Sequence, residues 1–242
     1  MSKWPALILM LILFLASITL ALFTGGTALA PESILQVILN PSSTDIMAST
    51  LVWDLRLPRI FTAALVGCGL AVCGVVFQAV LRNPLAEPYT LGVSGGGALG
   101  ATIAILLGIT GFPMALICFA GCCLSVSVVL GAAALKDFTG SMLILSGIIM
   151  SFIFSSAVMF IFSIASSREV YASVLWLMGS LSSPSEGSLL MLGATLPLSL
   201  GLMLFARDLN LLSLGDESSY HLGLNAKKAK ALLLMTASLI TG

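Results

Sequence analysis

The sequence predicts an all-α, polytopic membrane bundle, and three observations carry that prediction. Of its 242 residues, 59% are hydrophobic and 8% are charged, where soluble domains carry about 25% charged residues. The mean hydropathy is +1.14, which is more apolar surface than a water-soluble fold can hide. The apolar residues also fall into runs near the length of about 20 that crosses a hydrocarbon core as a helix. Backbone polar groups in lipid must be bonded within their own segment, so runs of this length are read as helices.

The first run, 5–23, stands behind Lys3 and Trp4. Its apolar core is longer than the roughly 7–15 residues of a signal peptide, so it is read as a retained span despite the cleavage-like Ala28-Leu29-Ala30 that follows. In the polar interval after it, Pro31-Glu32-Ser33 opens a short interfacial helix with Ile34, Leu35 and Ile38 on one face. Further spans are expected at 60–80, 89–107, 113–135, 141–165 and 187–206, with a seventh beginning at 231 and cut short at 242. The interval 166–184 holds another short helix, whose Tyr171 and Trp176 suit the headgroup level. A charged segment, 207–230, leads into the seventh span. The whole of 1–242 is expected to form one transmembrane domain, incomplete at its end.

These spans place the charges in loops and orient the chain. With the N-terminus inside, Lys3, Arg82, Lys136, Arg207, Lys227, Lys228 and Lys230 face the cytoplasm, and Arg56, Arg59 and Arg168 face outward. That asymmetry obeys the positive-inside rule. Lys227, Lys228 and Lys230 are read as contacts to anionic lipid.

Several chemistries are excluded. No ionisable residue is expected at membrane depth, where ion-coupled carriers and membrane-embedded enzymes keep theirs. No G-x-x-x-x-G-K-[ST] occurs, so a P-loop for ATP is absent from the chain. Cys68, Cys73, Cys118, Cys122 and Cys123 sit in apolar runs and read as small hydrophobes, and His221, the one histidine, has no ligand companions. No metal or cofactor is expected, and the balanced charge suggests no nucleic acid.

Four features carry specific expectations. Gly95, Gly97 and Gly100 match G-x-G-x-x-G, but no strand precedes them and no acidic residue follows at the required distance. The same region reads better as Gly92, Gly96 and Gly100 on one helix face, repeated by Ala63, Gly67 and Ala71. Small residues at that spacing let helix backbones approach closely in lipid. Arg56 and Arg59, either side of Pro58, read as interfacial anchors that snorkel towards the headgroups, although two arginines on the outer face run counter to the positive-inside bias. Arg82-Asn83-Pro84-Leu85-Ala86-Glu87-Pro88 cannot be helical throughout, because its two prolines break the bonding pattern, and reads as a rigid corner. Leu211 to Gly223 reads as a short polar helix, with Ser213 and Asp216 as a capping box and Gly223 as its terminator.

The order RLPR, RNPLAEP-x-x-LG and LGDE-x4-LG along the chain resembles the FecCD-type permease subunits of bacterial ABC importers for iron–siderophore chelates, haem and cobalamin. The resemblance implies a type II importer permease in the bacterial inner membrane. The chain would be the N-terminal portion of a fold of about ten spans, each of about 20 apolar residues. It implies a homodimer working with two cytoplasmic ATP-binding subunits and a periplasmic substrate-binding protein. Arg56 and Arg59 would then dock the binding protein. Asn83 and Leu85 would form the cytoplasmic gate opposite Ser141 and Met142, and Leu214, Gly215, Asp216, Glu217, Leu222 and Gly223 would couple to the ATPase. The cargo is expected to be an iron chelate of siderophore type, with haem, cobalamin or a non-functional remnant as the alternatives.

Overall fold

A computed structural model describes residues 4–27, 29–40, 46–135, 138–181 and 186–242, and the side chains of 192–242 within the last segment. Lys3, Ala28 and the Lys136 link lie outside the described residues. The described chain is helical and divides into two compact units, 1–64 with 181–184, and 65–180 with 185–242.

In the first unit, α1 (Trp4–Phe23) is apolar on every side and buries no residue, as a lipid-facing span requires. Helix α2 (Pro31–Leu39) begins on Pro31, whose missing N–H costs nothing at that position, with Glu32 in the favourable first turn. Its buried face is Ile34 and Val37, while Leu35 and Ile38 are exposed. That differs from the expected Ile34, Leu35 and Ile38 face, because α2 packs on Ala48 and Val52 rather than on an interface plane.

Helix α3 (Ile46–Thr50), a π-helical stretch (Leu51–Arg56) and α4 (Leu57–Leu81) follow without a break, as one helix of 36 residues. At about 1.5 Å per residue this is far longer than the hydrocarbon core. Asp54, Arg56 and Arg59 therefore lie inside a helix rather than in a loop before it. Pro58 directly follows the π-helical stretch, whose wider turn marks the change of register at the residue that has no N–H to donate.

In the second unit, α5 (Val93–Leu106) is shorter than a span and packs between α6 (Phe112–Ala134) and α7 (Gly140–Ile164). The expected span at 89–107 starts four residues late. Residues 84–92 are turns, and Gly92 caps α5 at φ +72°, a left-handed conformation that glycine adopts without strain. Close approach governs the α5–α6 crossing. A Cβ at Gly96 would strike the Gly121 carbonyl oxygen, and one at Gly100 would lie 2.6 Å from the Ile117 oxygen. Gly147 of α7 meets the Thr90 carbonyl in the same way.

Helix α8 (Ser167–Leu177) carries a full capping box. The Glu169 carboxylate accepts the Ser166 N–H at 2.7 Å, and the Ser166 hydroxyl accepts the Glu169 N–H at 3.4 Å. These bonds favour the ionised carboxylate and hold its pKa below the ordinary value of 4.5. Helix α9 (Glu186–Leu204) contains Pro197 and breaks at Phe205 into α10 (Ala206–Ser213), the axes meeting at 58°. Helices α11 (Asp216–His221) and α12 (Ala226–Thr241) complete the chain.

Four described helices are long and apolar enough to cross a membrane, five if the bent pair is one span. Helix α12 starts at Ala226, five residues before the expected seventh span, and so takes in Lys227, Lys228 and Lys230. Lys230 is buried at 1% exposure. Its expected lipid contact is replaced by partners within the protein.

Candidate functional site

Three segments of the second unit meet at one end of the bundle. The first is the corner after α4. Arg82 leaves the helix at φ +50°, and the Asn83 N–H returns to the Gln78 carbonyl at 3.2 Å, the closing bond of a Schellman turn. The Asn83 side-chain oxygen then accepts the Leu85 N–H at 3.0 Å. This turn leaves the Leu85 side chain 87% exposed. The Thr90 hydroxyl accepts the Glu87 N–H at 2.9 Å, so the corner is held by its own hydrogen bonds.

The second segment is the start of α7. Gly140 sits so close to the corner that a Cβ would lie 3.2 Å from the Leu81 oxygen. A cleft of about 380 Å³ opens beside them. Asn83, Leu85 and Glu87 line it from the corner, and Ile144, Ile148 and Phe152 line it from α7. Ser141 and Met142 are not in that lining: Ser141 is exposed, and the Met142 carbonyl accepts the Ser146 hydroxyl at 2.6 Å. The pattern 144, 148, 152 is one helix face, a signal available in the sequence that the loop position of Ser141 obscured.

The third segment is α10–α11. Gly215, at φ +113°, is the N-cap of α11, and it makes no side-chain cap bond. The Ser213 hydroxyl donates to the Asn210 carbonyl at 2.7 Å instead, so the expected capping box is absent. The Ser219 hydroxyl, fully buried, lies 2.7 Å from the Leu211 carbonyl and 2.6 Å from the Gly215 carbonyl, tying α11 to α10. At the other end Gly223, at φ +85°, terminates the helix. The Gly223 and Leu224 N–H groups bond to the Tyr220 and Ser219 carbonyls, as the sequence predicts for a glycine stop.

The neighbouring acidic residues of α11 have different surroundings. Glu217 is exposed, in company with Leu214, Tyr220 and Leu222, whereas Asp216 is half-buried and paired within the protein. The Lys230 ammonium donates to Asp216 Oδ2 at 2.7 Å and to the Phe138 carbonyl at 3.2 Å. Asp216 Oδ1 is buried without a hydrogen bond and faces the Arg82 guanidinium at 3.8 Å, an ion pair longer than a bond. Arg82 also lies against Gly215, where a Cβ would stand 3.2 Å from Nη1. Sequence reasoning missed this cluster, because its members are up to 148 positions apart and Lys230 has the composition of a boundary lysine.

In the first unit, Arg56 donates from Nη1 to the Leu22 carbonyl at 2.6 Å and from Nη2 to the Thr27 carbonyl at 2.7 Å. It closes the C-terminal end of α1, where a cation is favoured. Arg59 is exposed. Along α4, Ala63, Gly67 and Ala71 are also exposed, and a Cβ at Gly67 meets nothing within 4 Å. Within the chain, close backbone contact is made by Gly96 and Gly100 and not by that second stripe. Among the described residues no cluster has the ligands for a metal.

Comparison with known proteins gives consistent results. The FecCD transport family matches residues 10–242. The hemin transport system permease protein of Yersinia pestis is 33% identical, over 84% of this chain and 63% of that one. A Helicobacter pylori protein described as a probable iron chelatin transport system permease is 35% identical, over 90% of this chain and 68% of that one. The chain thus spans 63–68% of the length of these two relatives. A solved ABC transporter of metal-chelate type, inward-facing, matches with a TM-score of 0.80 at 29% identity, covering 99% of this chain and 73% of that one. With the family matched over nearly its whole length, and with relatives and a solved transporter of the same kind alongside, this membrane protein belongs to the FecCD transport family.

Proposed function

We propose that the chain is the permease subunit of an ATP-driven importer that carries an iron chelate of siderophore type from the periplasm to the cytoplasm. The observation that carries this reading is α11. It is a short polar helix with an apolar and acidic outer face, Leu214, Glu217, Tyr220 and Leu222, anchored from within by Ser219 and Asp216. Such a face suits a cleft in a separate ATPase, and the chain has no P-loop of its own. The relatives named for hemin and iron chelatin support a metal chelate as cargo.

In this reading 1–242 is a single permease domain with its N-terminus in the cytoplasm of a bacterial inner membrane. Two copies pair, joined by two ATP-binding subunits and one periplasmic binding protein. Asn83 and Leu85 form one lip of the cytoplasmic gate, and Ser141 and Met142, at the head of α7, belong to the other. Leu214, Gly215, Asp216, Glu217, Leu222 and Gly223 form the coupling segment.

The test is co-purification of the permease with the ATPase encoded beside it, read as vanadate-sensitive ATP hydrolysis. Glu217→Arg reverses the charge on the outer face and is expected to abolish the complex while the chain still folds. A complex that survives this change overturns the reading. Uptake of ferric siderophore, hemin and cobalamin by proteoliposomes containing the full assembly then separates the cargoes, with the ferric siderophore expected to be preferred.

The two outer arginines divide their work. Both main-chain bonds of Arg56 are internal, so Arg59 is the residue that receives a binding-protein carboxylate. Arg59→Glu is expected to weaken binding-protein association by about tenfold or more, most strongly at low salt. Surface-immobilised permease in nanodiscs gives that affinity directly, and an unchanged value would remove Arg59 from the docking surface.

A further inference from the structure

Asp216 sits where three segments converge, and each of its partners leads to a different part of the gate. Lys230 bonds Asp216 and the Phe138 carbonyl together, and Phe138 precedes Ser141 by three residues. Arg82 faces the other carboxylate oxygen and is followed directly by Asn83. Phe138 and Arg82 are also the two described non-glycine residues with positive φ, +55° and +50°. L-residues avoid that region unless the surroundings demand it. A glycine would adopt this conformation without strain but would remove the guanidinium that faces Asp216.

The two arms differ. The Lys230 arm is closed at 2.7 Å, whereas the Arg82 arm stands open at 3.8 Å over a buried oxygen that has no hydrogen bond. A shift of about 1 Å brings Arg82 into bonding range. A second arrangement, with Arg82 bonded to the free carboxylate oxygen, thus lies about 1 Å from the observed one, and an element with two such arrangements is what coupling between distant sites requires.

We propose that Asp216 is a relay hub that passes the position of α11 to both lips of the cytoplasmic gate, with Lys230 as positioning residue for the Ser141 lip and Arg82 for the Asn83 lip. The inference rests on the reading of α11 as the ATPase-facing helix. When the ATPase moves α11, the carboxylate moves with it. Lys230 carries the displacement to the loop before α7, and the Arg82 arm closes or opens at the corner.

The test follows the gate and the ATPase separately in the full assembly in proteoliposomes. Leu85→Cys, in a chain whose native cysteines are replaced, is labelled with a membrane-impermeant maleimide, nucleotide-free and trapped with ADP and vanadate. The labelling rate is expected to change by about fivefold or more on trapping, the lower end of ordinary allosteric coupling. Lys230→Met, which keeps the length of the stem, is expected to abolish that change while the ATPase still binds and traps vanadate, and Lys230→Arg to restore it. Arg82→Gln, at a half-exposed site that tolerates the substitution, is expected to reduce the response as well.

An unaltered gate response in both Lys230→Met and Arg82→Gln overturns the relay and leaves the proposed function standing, provided Glu217→Arg still abolishes the complex. If Glu217→Arg leaves the complex intact, the α11 reading fails and the relay falls with it. Loss of response that Lys230→Arg does not restore also counts against the relay, since it marks Lys230 as packing alone.

Discussion

Gly96→Leu is expected to leave no folded chain in detergent extracts. Helices α5 and α6 cross with Gly96 and Gly121 in mutual backbone contact, and a Cβ at either residue strikes the other's carbonyl. A side chain can turn aside from an intruder, but a helical carbonyl cannot do so without giving up its own hydrogen bond. The penalty therefore exceeds the about 1–3 kcal/mol of ordinary core overpacking and is a large part of the total stability, about 5–15 kcal/mol, of a typical domain. Fluorescence-detected size exclusion of a tagged chain reads the outcome as loss of the monodisperse peak. Gly131→Ala, in the same helix as Gly121 but with nothing within 4 Å, is the control and is expected to keep it. A monodisperse Gly96→Leu protein would show that the α5–α6 contact is not tight.

The ion pair at Asp216 predicts an asymmetry between its partners. Asp216→Ala strands the Lys230 ammonium, 2% exposed, with the Phe138 carbonyl as its one remaining described partner. Removing one member of a buried pair costs about 3–5 kcal/mol, because the other charge is left uncompensated. Lys230→Met leaves the opposite situation. Asp216 keeps 41% of its side chain accessible and still faces Arg82, and the methionine fills the space of the lysine stem. The carboxylate left behind is reached by water and by Arg82 rather than stranded, so Lys230→Met is expected to cost no more than the about 1 kcal/mol of a solvent-reached ion pair. Thermal unfolding of both variants in the same detergent measures the difference. Equal losses would mean that Lys230 is better hydrated than its burial implies.

Much of this molecule could be read from local pattern. The apolar runs located α1, α6 and α7 to within a residue or two, because in lipid length and hydropathy decide the element. The two prolines marked the corner, and Gly223 marked the end of α11. Gly96 and Gly100 stood out by their spacing. What escaped was set by partners remote in sequence. Asp54, Arg56 and Arg59 suggest a loop, yet the helix continues through them, and the Arg56 guanidinium finds partners in the Leu22 and Thr27 carbonyls. Lys230 suggests a boundary, yet it is buried, because Asp216 and Phe138 receive its charge. On α2 the sequence suggests an interface-facing stripe of Ile34, Leu35 and Ile38, whereas Val37 rather than Leu35 meets the local core. Gly92 has the spacing of a packing residue and does lie against the Gly147 carbonyl, where a Cβ would stand 3.1 Å away, but it is also a left-handed cap, a second role that spacing does not reveal.

The tether between Arg56 and the end of α1 bears on how this chain tolerates change over time. Helix α1 buries no side chain, and the arginine grips it by a main-chain oxygen that every residue type supplies equally. Of its side chains, only Leu22, at the last turn, packs against the local core among the described residues. What is constrained is that the segment stays apolar and ends in register with Arg56. Substitutions within 5–21 that preserve hydropathy should therefore accumulate almost freely, and shuffling those residues among themselves should preserve function where shuffling α5 would destroy it.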